Sequence, residues 1–291
     1  MSEVKELSMG RKIFAYLGII GLGMAFLCTQ IDAEERHEYV GFDRNDYPGD
    51  AALPVLRKSF SFMGYWLTNP PGETANNWQG KREMLLRHGF GFAVLANGRE
   101  EAEIKAAKTA KHATAIAQGE MDGRAAAEAA RREHFPSGTI VFLDQEEGGR
   151  LTEDQAGYIK GWVESLSAGG YRPGIYGSGQ PVSEGGGHTI RTAEDIRARV
   201  ASHFFREKIA LWVYQDACPP SNGCRLQPPT LEASGTPGAA VWQYAQSPRR
   251  KEITAACAKT YAADGNCYVP ELPGLHLDLS VADSPDPSHG R

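Results

Sequence analysis

The chain has 291 residues, 41% of them hydrophobic and 23% charged, with a net charge of −5 at neutral pH. That length excludes a small disulfide-stapled module and leaves room for one large core. The acidic balance argues against a nucleic-acid-binding face, which would carry a basic excess.

The first 33 residues set the compartment. Arg11-Lys12 precede the uncharged stretch from Ile13 to Cys28, and Thr29 to Ala33 follow. A basic region, an apolar run and a small residue at a cleavage point are the parts of a secretory signal, with Ala33 as its last residue. The competing reading is an uncleaved membrane anchor, although the run is short of the roughly 20 residues that span a bilayer. Gly18, Gly21 and Gly23 lie inside this segment and carry no nucleotide signature. What remains, 34–283 and a tail over 284–291, is close to the roughly 250 residues of one α/β barrel. The tail Ser284-Pro285-Asp286-Pro287-Ser288-His289-Gly290-Arg291 reads as disordered from its composition.

From Tyr39 onward, short apolar runs alternate with amphipathic stretches. Strands are expected at Tyr39–Asp43, Phe60–Leu67, Phe90–Ala96, Thr139–Glu146, Gly174–Ser178, Ile209–Gln215, Ala240–Tyr244 and Leu275–Leu279. Helices are expected over Ala51–Lys58 and Asn77–His88, and over Thr152–Ala168 with its acidic first turn. Glu100–Phe135 should form two helices broken near Gly119 and Gly123. Gly185-Gly186-Gly187 reads as a mobile loop, and Pro219–Gly238 as a disulfide-tied loop. The alternation predicts a single irregular (β/α)8-type barrel of the TIM class, poor in helix around its last three strands.

Besides Cys28, the chain has Cys218, Cys224, Cys257 and Cys267. Four thiols allow three connectivities; local pairing, Cys218 with Cys224 and Cys257 with Cys267, closes two short loops. The spacings are not those of a zinc site, no HExxH occurs, and neither a metal nor a cofactor is expected. Gly177-Ser178-Gly179 lacks the spacing of a nucleophile elbow.

Polar residues collect at strand ends. In Thr139–Glu147, alternation puts Phe142, Asp144 and Glu146 on one face. Two neighbouring carboxyls at the mouth of a barrel raise each other's proton affinity, so one can serve as a general acid near neutral pH. Alone, such a pair reads equally well as a solvated acidic loop. Asp43 and Asp278 end or interrupt other strands in the same way, and Tyr176, Gln215, Gln243 and Tyr244 add aromatics and amides suited to a sugar. Trp66 and Trp78 are candidate sugar platforms or core, whereas Arg44 and Arg99 read as ordinary surface arginines, with pairing to the acids as the alternative.

Gly41-Phe42-Asp43, Asp144-x-Glu146, Pro173-Gly174-Ile175-Tyr176, Trp242-Gln243-Tyr244 and Leu277-Asp278-Leu279, in that order, resemble glycoside hydrolase family 25, the lysozymes that cut peptidoglycan. The chain is still more similar to the glycoside-hydrolase-like domain of unknown function related to that family. The resemblance, from about Tyr39 to Ala282, implies an irregular eight-stranded barrel. It implies Glu146 as proton donor, Asp144 as its carboxylate partner, and Asp43 and Asp278 as further site acids. Gln145, Glu147-Gly148-Gly149 and the cysteine loop depart from the pattern. The expectation is an exported monomeric glycosidase acting on cell-wall or related amino-sugar polysaccharide; the alternative is a non-catalytic glycan-binding barrel at the envelope.

Overall fold

Each short apolar run forms a strand because its β-branched and aromatic residues are bounded by glycine, proline or polar turns. The structure is a computed structural model that describes residues 37–291, so the leader expected over residues 1–33 lies outside the described residues. In chain order the strands are β1 (Tyr39–Asp43), β2 (Phe62–Trp66), β3 (Gly91–Asn97), β4 (Ile140–Gln145) and β5 (Arg172–Ser178). There follow β6 (Val182–Gly185), β7 (His188–Ile190), β8 (Ala210–Tyr214), β9 (Val241–Ala245) and β10 (Asp278–Ala282). All but β6 and β7 close into one barrel in the order β1-β10-β9-β8-β5-β4-β3-β2. The expected TIM-type barrel is therefore the fold.

One strand runs the other way. β10 is antiparallel to both β1 and β9, whereas the other barrel pairings are parallel. A parallel return needs a crossover of a dozen or more residues, usually a helix. After β9 the chain makes the four-residue helix α7 (Lys251–Thr254, with the six earlier helices described below), a 3-10 segment over Ala255–Thr260 and irregular turns. It stays near the mouth and enters β10 from that rim. Asp278 is thus the first residue of its strand, paired in register with Asp43, the last of β1.

The outer helices are α1 (Leu53–Leu56), α2 (Arg82–Arg87), α3 (Glu101–Lys111), α4 (Ala115–Arg132), α5 (Glu153–Ala168) and α6 (Thr192–Ala201). The break between α3 and α4 falls at His112, in the left-handed region, and at Thr114, whose hydroxyl caps α4 by accepting from the Ala117 amide. It does not fall at Gly119 or Gly123, which lie inside α4. There a Cβ would strike the α5 backbone, at Tyr158 O for Gly119 and at Trp162 O for Gly123. These glycines let two helices touch rather than ending one. The Gly185–Gly187 run is likewise the turn of the β6–β7 hairpin, held by the Arg150–Glu184 ion pair at 2.6 Å.

The cysteines pair across the loops rather than within them: Cys218 with Cys257 and Cys224 with Cys267. The bridges span 39 and 43 residues, each worth about 4 kcal/mol on the loop-entropy model. Of the three connectivities the sequence leaves open, this is not the local one, because spacing along the chain does not show how the segment after β9 returns Cys257 and Cys267 to Cys218 and Cys224. Such bridges fit an oxidising compartment. No helix among the described residues is long and apolar enough to cross a membrane.

The tail is not disordered. β3 and β4 splay apart at their first residues, and Asp286–Ser288 fills the gap. Asp286 accepts from the Phe92 amide at 2.8 Å and the Ser288 hydroxyl from the Val94 amide at 2.8 Å. The Ser288 backbone bonds to Phe92 on one side and Ile140 on the other, both at 2.8 Å. Arg82 donates to Gly290 O at 2.8 Å, and Gly91 is glycine where a Cβ would strike Pro285 O. Unpaired strand ends supplied the partners that the tail's composition could not announce. Ser288→Ala leaves a buried amide without its acceptor, so thermal unfolding should show a loss of about 1–3 kcal/mol. Deletion of residues 284–291 should cost more; a truncated chain as stable as the full one would contradict this role.

Candidate active site

Strand alternation and barrel register bring Asp43, Trp66, Asn97, Asp144, Tyr176, Tyr214, Gln243 and Asp278 to the inward face at one rim. This rim is the C-terminal end of the parallel strands, where such barrels keep their chemistry. Glu146 lies one residue beyond β4 and is exposed. It lines two cavities. One, of about 320 Å³, is bounded by Asp43, Arg44, Asp46, Ser247, His276 and Asp278 as well. The other, of about 280 Å³, is bounded by Asn97, Arg99, Glu100, Glu103, Asp144 and Glu147 among others.

The acids differ in how they are held. Asp43 is 8% exposed and accepts from Gln243 Nε2 at 3.0 and 3.2 Å. Burial pushes its carboxyl up to about 7, against the Gln243 hydrogen bond and with help from the Glu146 charge. Asp144 is 6% exposed, and its Oδ1 has no hydrogen-bond partner. Burial, then the charges of Glu146 and Asp43, hold its proton well above the usual carboxylate range. Asp278 is raised in the same way by burial and Asp43, opposed by the Ser247 amide that donates to Oδ1. Glu146 is raised too, because the crowded walls strip part of its water; Glu100 adds to this and Arg250 opposes it. Of the Asp144–Glu146 pair, the buried member keeps its proton more firmly and the exposed member can be reached.

Arg250 is set by its neighbours. It forms an ion pair with the fully buried Asp216, Nε to Oδ2 at 3.1 Å, and lies over the Tyr214 ring at 5.2 Å. Tyr214 in turn donates its hydroxyl to the Glu146 backbone oxygen at 2.7 Å. The disulfide lobe reaches the other side: the Cys267 amide donates to Ser247 Oγ at 2.9 Å, next to the amide that serves Asp278.

The expected acids Asp43, Asp144, Glu146 and Asp278 therefore converge. The expected sugar contacts spend their polar groups within the fold, including those that reach the same rim. Tyr176 is buried and donates to Gln243 Oε1 at 2.9 Å, and Gln243 is spent on Tyr176 and Asp43, so both position an acid. Tyr244 is one residue out of phase with Gln243; it faces outward and donates to Arg225 O at 3.0 Å. Gln215 accepts from Gln180 at 2.6 Å and from the Ala217 amide at 2.9 Å. Trp66 and Trp78 are buried and donate to Arg44 O and Asn45 O at 3.1 and 2.7 Å, so they anchor the loop after β1 instead of offering a platform. Arg44 is half-buried and lines the cavity of Asp43 and Asp278, while Arg99 lines the other cavity, with Asp144 and Glu146, and forms an ion pair with Asp122 at 2.6 Å. Sequence reading missed Asn97, Ser247 and His276 as cavity walls; of these, Asn97 had a signal, the polar end of an apolar strand. Among the described residues, no group of three or more His, Cys, Asp or Glu is arranged to hold a metal.

Residues 64–257, which run from within β2 through β9 and include Asp144 and Glu146, match the Rv2525c-like, glycoside hydrolase-like domain. The chain belongs to that family. Among solved structures, the barrel is similar to an uncharacterized protein of B. stearothermophilus, 20% identical, over 84% of this chain and 95% of that one, with a TM-score of 0.55. The Tat-secreted Rv2525c of Mycobacterium tuberculosis is 12% identical over 84% of this chain and 94% of its own, with a TM-score of 0.48. A bacterial lysozyme of Streptomyces coelicolor is 14% identical over 83% and 90%, with a TM-score of 0.44. Among curated proteins, none matches the sequence.

The raised Asp43 has a consequence for this family member's stability. A carboxyl that binds its proton more tightly when folded contributes stability that is full below its unfolded value, near 3.8, and is withdrawn as pH rises toward about 7. Asp43→Asn keeps an acceptor for Gln243 but has no proton to lose. From pH 5 to pH 8 the melting temperature of the wild type should fall by several degrees more than that of the variant. Parallel curves would show that Asp43 titrates normally.

Proposed function

We propose that this chain is an exported, monomeric glycoside hydrolase that acts on cell-wall or related amino-sugar polysaccharide, with Glu146 as general acid. One observation carries the reading: an exposed glutamate with a raised proton affinity lines both cavities of a mouth whose inner wall is buried carboxyls. A general acid needs a held proton and access to the leaving oxygen, and Glu146 combines them. Its proton goes to the glycosidic oxygen as the bond to the sugar's anomeric carbon breaks. Asp144 beside it orients the sugar's own 2-acetamido group while protonated, and stabilises charge there or at an oxocarbenium-like centre only on giving up the proton that burial holds. Asp43 and Asp278 form the facing wall of the adjoining cavity. Family membership supports a glycoside-hydrolase-like barrel, and the two disulfides support an exported protein.

A second reading, a glycan-binding barrel without turnover, is favoured by one detail. Glu146 is pinned through its backbone oxygen, and its carboxylate makes none of the described hydrogen bonds. One experiment separates the two: turnover of purified peptidoglycan and of chitin-type oligomers by the wild type and by Glu146→Gln. The variant keeps shape but delivers no carboxylic proton, so turnover should fall about 10²- to 10⁴-fold with glycan affinity little changed. Equal turnover by both proteins would remove Glu146 as the acid. Binding without turnover by either would leave the glycan-binding barrel.

A further inference from the structure

Asp216 has no contact with solvent and is held by Arg250, whose Nε donates to Oδ2 at 3.1 Å and whose Nη2 donates to Oδ1. Burying an ion pair gains little stability over apolar residues of the same volume, so its presence beside the mouth calls for a use. The fold fixes this pair from both sides. Gln180 also donates to Asp216 Oδ1, at 3.2 Å, and the Thr254 hydroxyl donates to Arg250 O at 2.7 Å. The Cys218–Cys257 bridge ties together the segments that carry the two partners. From there the contacts lead in one direction: the Arg250 guanidinium lies over the Tyr214 ring, and the Tyr214 hydroxyl donates to Glu146 O at 2.7 Å.

We infer that Arg250 is a positioning residue for Glu146, steadying through Tyr214 the segment that carries this acid and keeping a positive charge one tyrosine ring away from it. The inference rests on the glycosidase reading above. The charge matters because acids crowd Glu146 from several elements: Asp43 ending β1 and Asp46 after it, Asp144 and Glu147 on its own segment, Glu100 and Glu103 at the start of α3, and Asp278 on β10. Tyr176 of β5 and Tyr214 of β8 add hydroxyls, and His276 lines the cavity of Asp278. Of the cations in the two cavities, Arg44 is drawn to Asp46 and Asp278, and Arg99 is paired with Asp122. The charge of Arg250 does act on Glu146, and it opposes the rise in proton affinity that burial and Glu100 impose. Burial works against the charge of Arg250 itself, but Asp216 outweighs it. An acid that only bound its proton tightly would be slow to give it up, and Arg250 keeps Glu146 able to do both.

The test follows turnover of purified peptidoglycan and of a chitin-type tetrasaccharide by the full chain against pH. Beside it runs a carboxyl NMR titration of Glu146, whose resonance is assigned by its loss in Glu146→Gln. Arg250→Met alone would strand the buried Asp216 and cost the fold its stability, so the charge is removed as a neutral pair, Asp216→Asn with Arg250→Gln. In that double variant Glu146 should titrate at a higher pH than in the wild type. Because a general acid works only while protonated, the alkaline limb of kcat should move up with it. Arg250→Lys keeps the charge, so its limb should stay with that of the wild type. Tyr214→Phe keeps the ring and the charge but releases Glu146 O; its kcat should fall about ten- to hundred-fold, with KM and the limb little changed. A pair that served only the fold would leave the limb in place. An unmoved Glu146 titration in the double variant, a limb that shifts as far in Arg250→Lys, or an undiminished kcat in Tyr214→Phe overturns the inference while the glycosidase reading stands. A wild type that turns over neither glycan removes that reading and the inference with it.

Discussion

Keeping carboxyl groups out of water at one end of a barrel is the constraint that organises this molecule. Asp43 and Asp144 are nearly inaccessible, and Asp278 faces Asp43 in register. Ionising all of them together would set like charges side by side without solvent, so the protons stay on. Gln243 and the Ser247 amide donate to Asp43 and Asp278 and favour their ionised forms, but burial outweighs them, and Asp144 Oδ1 has no partner at all. Close approach helps as well: a Cβ on Gly64 would come within 2.5 Å of the Asp43 Cβ, so only glycine lets β2 pass behind that acid.

Around this core of protonated acids, the loops act as a frame. The Asp216–Arg250 pair, the Tyr214 ring and its hydroxyl form a chain that ends on the Glu146 backbone. The disulfide lobe reaches Asp278 through Ser247, which accepts from the Cys267 amide and donates its own amide to the Asp278 carboxyl. The arrangement separates duties between two neighbours on one strand face. Asp144 is buried and firmly protonated; Glu146, beyond the strand, is open to whatever enters.

Much of this was legible in the sequence. Alternation along Ile140–Gln145 is a local property, so the direction of Asp144 and Glu146 followed from it, as did the strand-end position of Asp43. The same rule, applied strictly, excludes Tyr244, which is out of phase with Gln243, and includes Asn97, which is in phase with Leu95. Other features depended on contacts between distant segments and left no local trace. The reversed β10, the crossed disulfides and the tail seated between β3 and β4 each come from where the chain returns in space. Arg44 belongs here too: its carbonyl and that of Asn45 are held by Trp66 and Trp78, which composition alone offered as sugar platforms.

The proposed acid–base chemistry requires that the mouth hold protons near neutral pH. A carboxyl-selective NMR titration of the full chain, with Asp43→Asn and Asp144→Asn to assign the resonances, reads this directly. Asp43 should titrate at about 7, and Asp144 should remain protonated beyond the ordinary carboxylate range. If both instead lose their protons near pH 4, the carboxyls are solvated surface acids. The proposed acid–base site would then have no physical basis.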